Sequence, residues 1–292
     1  MPERQRIAKE DETVVARVQL FVTCLADMVR PQAAIAAVRA MERRGVNVEF
    51  PSNQTCCGQF SYNAGYQHEA AILARHFLEV FETGETGHDE TEIVSLSGSC
   101  AAMVIHSYPQ LLFDDAMEQG EPLSVAEDWK RRAQAVGTRI REWGTWMGKT
   151  FGSAQEKGHH LPVAYHLGCH MRRLLPPSGE LTNMLKAQGI LAREPDDADQ
   201  CCGFGGTYSF TEPAISTALA DDKLKNIDKL VHDQGAVCLT SADLGCLLHL
   251  AGRQRRQGSP FPACHISELV DLADQNRLTP EHIESLGDEG RK

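Results

Sequence analysis

A chain of 292 residues, 42% of them apolar, can bury two cores of ordinary domain size, and a formal net charge of −11 argues against nucleic acid or anionic lipid as its main partner. No uninterrupted apolar run approaches the roughly 18 residues that span a bilayer, and the charged opening MPERQRIAKEDET has no apolar signal core. A cytoplasmic protein with no direct membrane insertion is expected. Ten cysteines in such a chain point away from a disulfide framework and towards metal binding or catalysis.

Taken in chain order, RVQLFVT reads as a strand with Cys24 just past its end. PQAAIAAVRAMERRG carries Pro31 near its start, apolar residues at helical spacing and Gly45 at its end, and reads as a helix. VNVEF is the next strand and leads to Cys56, Cys57 and Gly58. NAGYQHEAAILARHFLEVFETG is a second helix, and EIVSLSG a third strand ending near Cys100. EDWKRRAQAVGTRIREWGTWMG reads as one amphipathic helix that runs into the linker FGSAQEKGHH.

The second half repeats the order: LPVAYHLG to Cys169, LTNMLKAQG, ILARE, CCGFGG, PAISTALADDKLKNIDKLVHDQG, and AVCLTSADLG to Cys246. Such alternation predicts two tandem, pseudo-symmetric α/β, Rossmann-like domains with parallel sheets, spanning 14–150 and 159–275. Each would carry one CCG metal site at the C-terminal ends of its strands. Polar termini are expected at 1–13 and 276–292.

The cysteines obey the same repeat. Cys24, Cys56 and Cys57 recur 145 residues later as Cys169, Cys201 and Cys202, and Cys100 recurs after 146 as Cys246. Core packing does not require equal intervals in both halves, so the eight read as two ligand quartets. Adjacent Cα atoms are about 3.8 Å apart, below the usual disulfide range, but two neighbouring thiolates can serve one centre. Gly58 and Gly203 would let the backbone come close, with amides donating to sulfur. GFGG lacks the GxxxxGK[ST] spacing of a phosphate loop.

The doubled pattern, with CCGFGGTYS, SLSGSCAAM, YHLGCHMRR and DLGCLLHL, resembles the CCG or cysteine-rich domain family that includes the B-type subunits of heterodisulfide reductases. It looks most like the lactate-utilisation branch, the A-type iron–sulfur subunits of L-lactate dehydrogenase complexes. That resemblance implies iron–sulfur clusters, [4Fe-4S] in type and one per repeat, held by Cys24, Cys56, Cys57 and Cys100 and by Cys169, Cys201, Cys202 and Cys246. It implies a non-catalytic relay within an oxidoreductase complex whose partner iron–sulfur and oxidoreductase subunits oxidise L-lactate to pyruvate. The heterodisulfide reductase motif ends in Cys-x-x-Cys, whereas Met103 and His249 stand at those fifth positions here, which counts against disulfide chemistry.

Four thiolates leave zinc open in one of the two halves, although the adjacent pair favours a cluster. A zinc- or cluster-stapled scaffold or redox sensor is therefore the alternative of a different class. His166 and His170 flank Cys169 without counterparts around Cys24, where Phe21 and Leu25 stand, so the second site could be distinct. Arg172 and Arg173 read as a solvated helix face, Cys238 as a buried hydrophobe, Cys264 beside His265 as a non-ligand, and RQRRQG as a helix end without a nucleic-acid role.

Overall fold

The computed structural model describes residues 16–82, 91–152, 160–175 and 179–289, so the opening 1–13 and most of the linker lie outside the described residues. Four parallel strands, β1 (Arg17–Phe21), β2 (Asn47–Glu49), β3 (Glu92–Ser95) and β4 (Ile140–Glu142), form one sheet in the order β2-β1-β3-β4. A second sheet repeats this with β5 (Leu161–His166), β6 (Ile190–Arg193), β7 (Leu239–Ser241) and β8 (Ala263–His265) in the order β6-β5-β7-β8. The registers Leu20↔Val94 and Tyr165↔Thr240 set the central pair of each sheet. The expected tandem, pseudo-symmetric α/β architecture is the one observed.

The helices Pro31–Glu42, Gln67–Phe81, Glu180–Ala187 and Pro213–Gln234 fall where apolar spacing placed them. The single helix read from EDWKRRAQAVGTRIREWGTWMG is instead broken. A helix over Leu123–Arg139 stops at Ile140, whose backbone turns extended (φ −83°, ψ 137°) to pair with Ile93 as β4. A fresh helix, Trp143–Phe151, then starts, with the Glu142 carboxylate accepting from the Gly144 and Thr145 amides at 2.7 Å each. Sheet pairing and complete burial of Ile140 override the helical period there. Helix Pro280–Glu289 closes the described chain and buries Ile283.

Each half sends a helix from near its end onto the other. Trp143–Phe151 lies against Glu180–Ala187, closely enough that a Cβ at Gly148 would stand 2.4 Å from the Glu180 carbonyl oxygen. Ile266–Asp274 lies along Pro31–Glu42, tied by Arg30 to Glu268 (2.9 Å), Arg43 to Asp271 (2.5 Å) and Arg44 to Asp274 (2.6 Å). One apolar cluster accordingly runs from Val18 and Leu20 through Trp143 to Val163 and Leu239. The two sheets are thereby fixed relative to each other, which fixes the loops at their strand ends.

His265 sits in this seam, fully buried. Its Nε2 faces the carbonyl oxygens of Leu96 (3.1 Å) and Ala242 (3.2 Å), so Nε2 carries the proton, and Nδ1 accepts from the Ser267 amide at 3.2 Å. Burial depresses its pKa to about 4, from an ordinary 6.5. The unfolded chain then binds more protons below about pH 6.5, so stability is intact above that pH and falls as pH drops towards 4, by about 3 kcal/mol in all. Thermal midpoints measured across this window should fall less steeply with acid in His265→Asn than in the wild type; equal slopes would remove the histidine from the cause.

Candidate metal centre

Every cysteine of the two quartets lies at a strand's carboxyl end or in the segment that follows it. Cys24 and Cys169 open the helices Cys24–Val29 and Cys169–Leu174, Cys100 and Cys246 sit in the first turn of helices after β3 and β7, and the CCG loops follow β2 and β6. In parallel sheets such ends are where ligands gather. Gly58 and Gly203 hold left-handed backbone, φ +80° and +88°, which turns their amides back to donate to Cys56 Sγ and Cys201 Sγ at 3.4 Å each. What crowds these glycines is the following helix: a Cβ at Gly203 would lie 2.2 Å from the Ser216 carbonyl oxygen, and one at Gly58 3.1 Å from that of Ala70.

In the first quartet Cys24 Sγ and Cys56 Sγ are 3.5 Å apart, and Cys57 Sγ and Cys100 Sγ 3.2 Å. Hydrogen bonds from Cys24 and then Cys57 lower the Cys56 thiol to about 3, while its partners Cys24 and Cys57 are pushed up. The second quartet matches it: bonds from Cys169 and Cys202 lower Cys201 to about 2, and Cys169 and Cys202 rise. Cys246 is lowered to about 7, chiefly by its bond with Cys202. Each quartet thus favours thiolate, the form that binds metals, at Cys56 or Cys201 at the expense of the neighbouring thiols.

The two quartets face one another. All eight cysteines line a single cavity, together with Phe60, Phe204 and Asp243. Asp243 ties its walls: its Oδ1 accepts from Ser97 Oγ at 2.6 Å and from the Ser99 amide at 2.9 Å, across the seam between halves. Ser97 and Asp243 are 146 residues apart, the same offset as Cys100 and Cys246, so repeat-equivalent loops meet at the pseudo-symmetry axis. The repeat places two sites but does not reveal that they share a chamber. The Ser-to-Asp change at equivalent positions was the one signal for Asp243.

The donor set suits a metal centre. A tetrahedral ion with bonds of about 2.3 Å to sulfur sets its four sulfurs about 3.8 Å apart. Among the described residues, the one group of three His, Cys, Asp or Glu donors lying within 4.8 Å of one another is His166, Cys202 and Cys246. The soft, all-thiol donors of the quartets fit zinc or iron–sulfur chemistry.

The other singled-out residues separate clearly. His170 lines the cavity, Nδ1 3.7 Å from Cys169 Sγ. His249 meets Ser216 Oγ at 3.3 Å and lies beside Phe204, outside that ligand group. Met103 is buried and opens a π-helical turn, Met103–Ser107, after which Tyr108 donates to the Cys57 carbonyl at 2.8 Å. Cys264 and Cys238 are buried against each other, sulfurs 3.8 Å apart, and Cys264 lies on β8 rather than folding onto the second quartet. Arg172 is engaged by Glu194 and Asp199, and Arg253 by Asp221.

Residues 18–105 and 163–251 each match the family model of the CCG cysteine-rich domain. The chain belongs to this family. Similar relatives are lactate utilization protein A of Halalkalibacterium halodurans, 35% identical over 263 residues (89% of this chain, 99% of the relative), and that of Bacillus pumilus, 36% identical over 260 residues (87% and 99%). In fold the chain is similar to a hypothetical protein from Helicobacter pylori, known from its crystal structure, with a TM-score of 0.57 at 10% identity. That likeness covers 94% of this chain and 51% of the other, so the chain spans about half of it. Clustered cysteines in this family's domains point to metal or iron–sulfur binding, and no helix among the described residues is long and apolar enough to cross a membrane.

Proposed function

We propose that the chain is an iron–sulfur electron-transfer subunit of a cytoplasmic complex that oxidises L-lactate to pyruvate, with the oxidation itself carried out in partner oxidoreductase subunits. Residues 14–150 and 159–275 would form its two domains, each holding one [4Fe-4S] cluster through its own quartet. The observation that carries this reading is the convergence of all eight cysteines on one cavity. When bound, a [4Fe-4S] cluster supplies one-electron transfer. The chain's own residues hold it by thiolate. The Gly58 and Gly203 amides donate to sulfur, which raises the reduction potential, and Asp243 with Ser97 and Ser99 holds the two sites face to face.

One observation favours a second reading at the second site alone: Cys202, Cys246 and His166 converge closely enough for a single zinc ion. Iron, acid-labile sulfide and zinc per chain, measured after anaerobic purification with spectra before and after dithionite, separate the two. About eight irons and eight sulfides with bleachable colour support two clusters. Half that iron with one zinc would assign the second site to zinc, and colourless zinc protein would make the chain a metal-stapled scaffold.

A further inference from the structure

His166 ends β5, is 2% exposed, and neither ring nitrogen has a hydrogen-bond partner of ordinary geometry, its polar contact being a long or poorly aimed one to the Cys246 thiol. Leaving a buried polar group poorly satisfied costs on the order of 1–3 kcal/mol, so such burial calls for a better partner than a weak thiol contact. The ring donor lies within 4.8 Å of both Cys202 Sγ and Cys246 Sγ, near enough for a modest side-chain rotation to bring all three onto one metal. The first half offers nothing comparable. Phe21 occupies the equivalent position, 145 residues earlier, and packs edge-on to Phe77 and Phe81 with ring centroids 4.9 and 5.7 Å away.

We propose that His166 is a nitrogen ligand of the second metal centre, on the side of Cys202 and Cys246, taking the place of one of that quartet's four thiolates, a role that rests on the quartets holding metal. The two centres then differ in kind: the first is bound by sulfur alone, the second by sulfur and imidazole. A neutral imidazole and an anionic thiolate weight the oxidation states of iron differently, so two centres sharing one cavity acquire different potentials, a gradient that pairwise-identical sites would lack.

The test is pulsed EPR of the full chain, purified anaerobically with 15N-labelled histidine and reduced with dithionite. The wild type should show the strong coupling of a directly bound nitrogen. His166→Phe, which reproduces the first half, should lose that coupling and shift one of the two reduction steps while leaving the other. His166→Cys keeps a ligand and removes the nitrogen, so its loss of coupling in a loaded protein serves even if the phenylalanine variant fails to fold. His170→Ala should retain the coupling. A wild type with both centres reduced and no strongly coupled nitrogen, or coupling that survives in either His166 variant, overturns the proposal. Should the second centre carry zinc, the two-cluster reading falls, and zinc X-ray absorption decides the ligand: imidazole scattering lost in His166→Cys upholds it, and an all-sulfur shell in the wild type overturns it.

Discussion

Replacing Cys57 by serine is expected to cost the protein one of the two proposed clusters: bound iron and sulfide should fall by about half, and electron transfer through the chain by more than about 100-fold. The buried Cys57 thiol stands 3.2 Å from Cys100 Sγ and supports the thiolate at Cys56, so its loss removes a donor and disturbs two others. Loss of even an outer-shell partner of a metal ligand typically costs about 10–100-fold, and a direct ligand matters more. Serine keeps the size of the side chain, and Tyr108 still donates to the carbonyl of residue 57, so the fold should survive. Iron analysis beside circular dichroism separates the outcomes. A folded Cys57→Ser chain with undiminished iron would remove Cys57 from the ligand set.

Gly203→Ala should be far more damaging than Gly58→Ala, although the two glycines are repeat equivalents. Both hold left-handed backbone, which costs a non-glycine residue about 1–3 kcal/mol. At Gly203 the added Cβ also meets the Ser216 carbonyl oxygen at 2.2 Å and Leu219 Cβ at 3.2 Å, and that helix is anchored by Ser216 Oγ donating to the Gly203 carbonyl at 2.8 Å. The helix backbone cannot step aside cheaply, so the total should reach about 4 kcal/mol or more, with a thermal midpoint about 10 °C lower. At Gly58 the nearest atom is 3.1 Å away, and the loss should stay near about 1–3 kcal/mol. Thermal unfolding of both variants checks the order; equal losses would show that the Ser216 contact yields.

The central strands, most long helices and the cysteine repeat were legible because each rests on local signals: short apolar, β-branched runs, helical spacing between Pro31 and Gly45, and cysteine intervals that repeat within one residue. Two edge strands, β4 and β8, were not. β4 lies inside an unbroken amphipathic pattern, and β8 is only three residues long, so both owe their extended form to pairing with a neighbouring strand. The common cavity was also invisible, because it depends on exchanged helices and on a carboxylate, Asp243, reaching Ser97 across 146 residues. His166 was visible as an asymmetry, but its poorly partnered burial beside Cys202 and Cys246 appears only in three dimensions.

The most direct test of two electron-carrying centres in one chamber is the continuous-wave EPR spectrum of the fully reduced, anaerobically purified chain. Two paramagnetic clusters facing one cavity should interact, giving a broadened or split spectrum that collapses to a single simple signal in Cys57→Ser. Two sharp signals that add as independent species, or no paramagnetic centre in a fully reduced and metal-loaded protein, would contradict it.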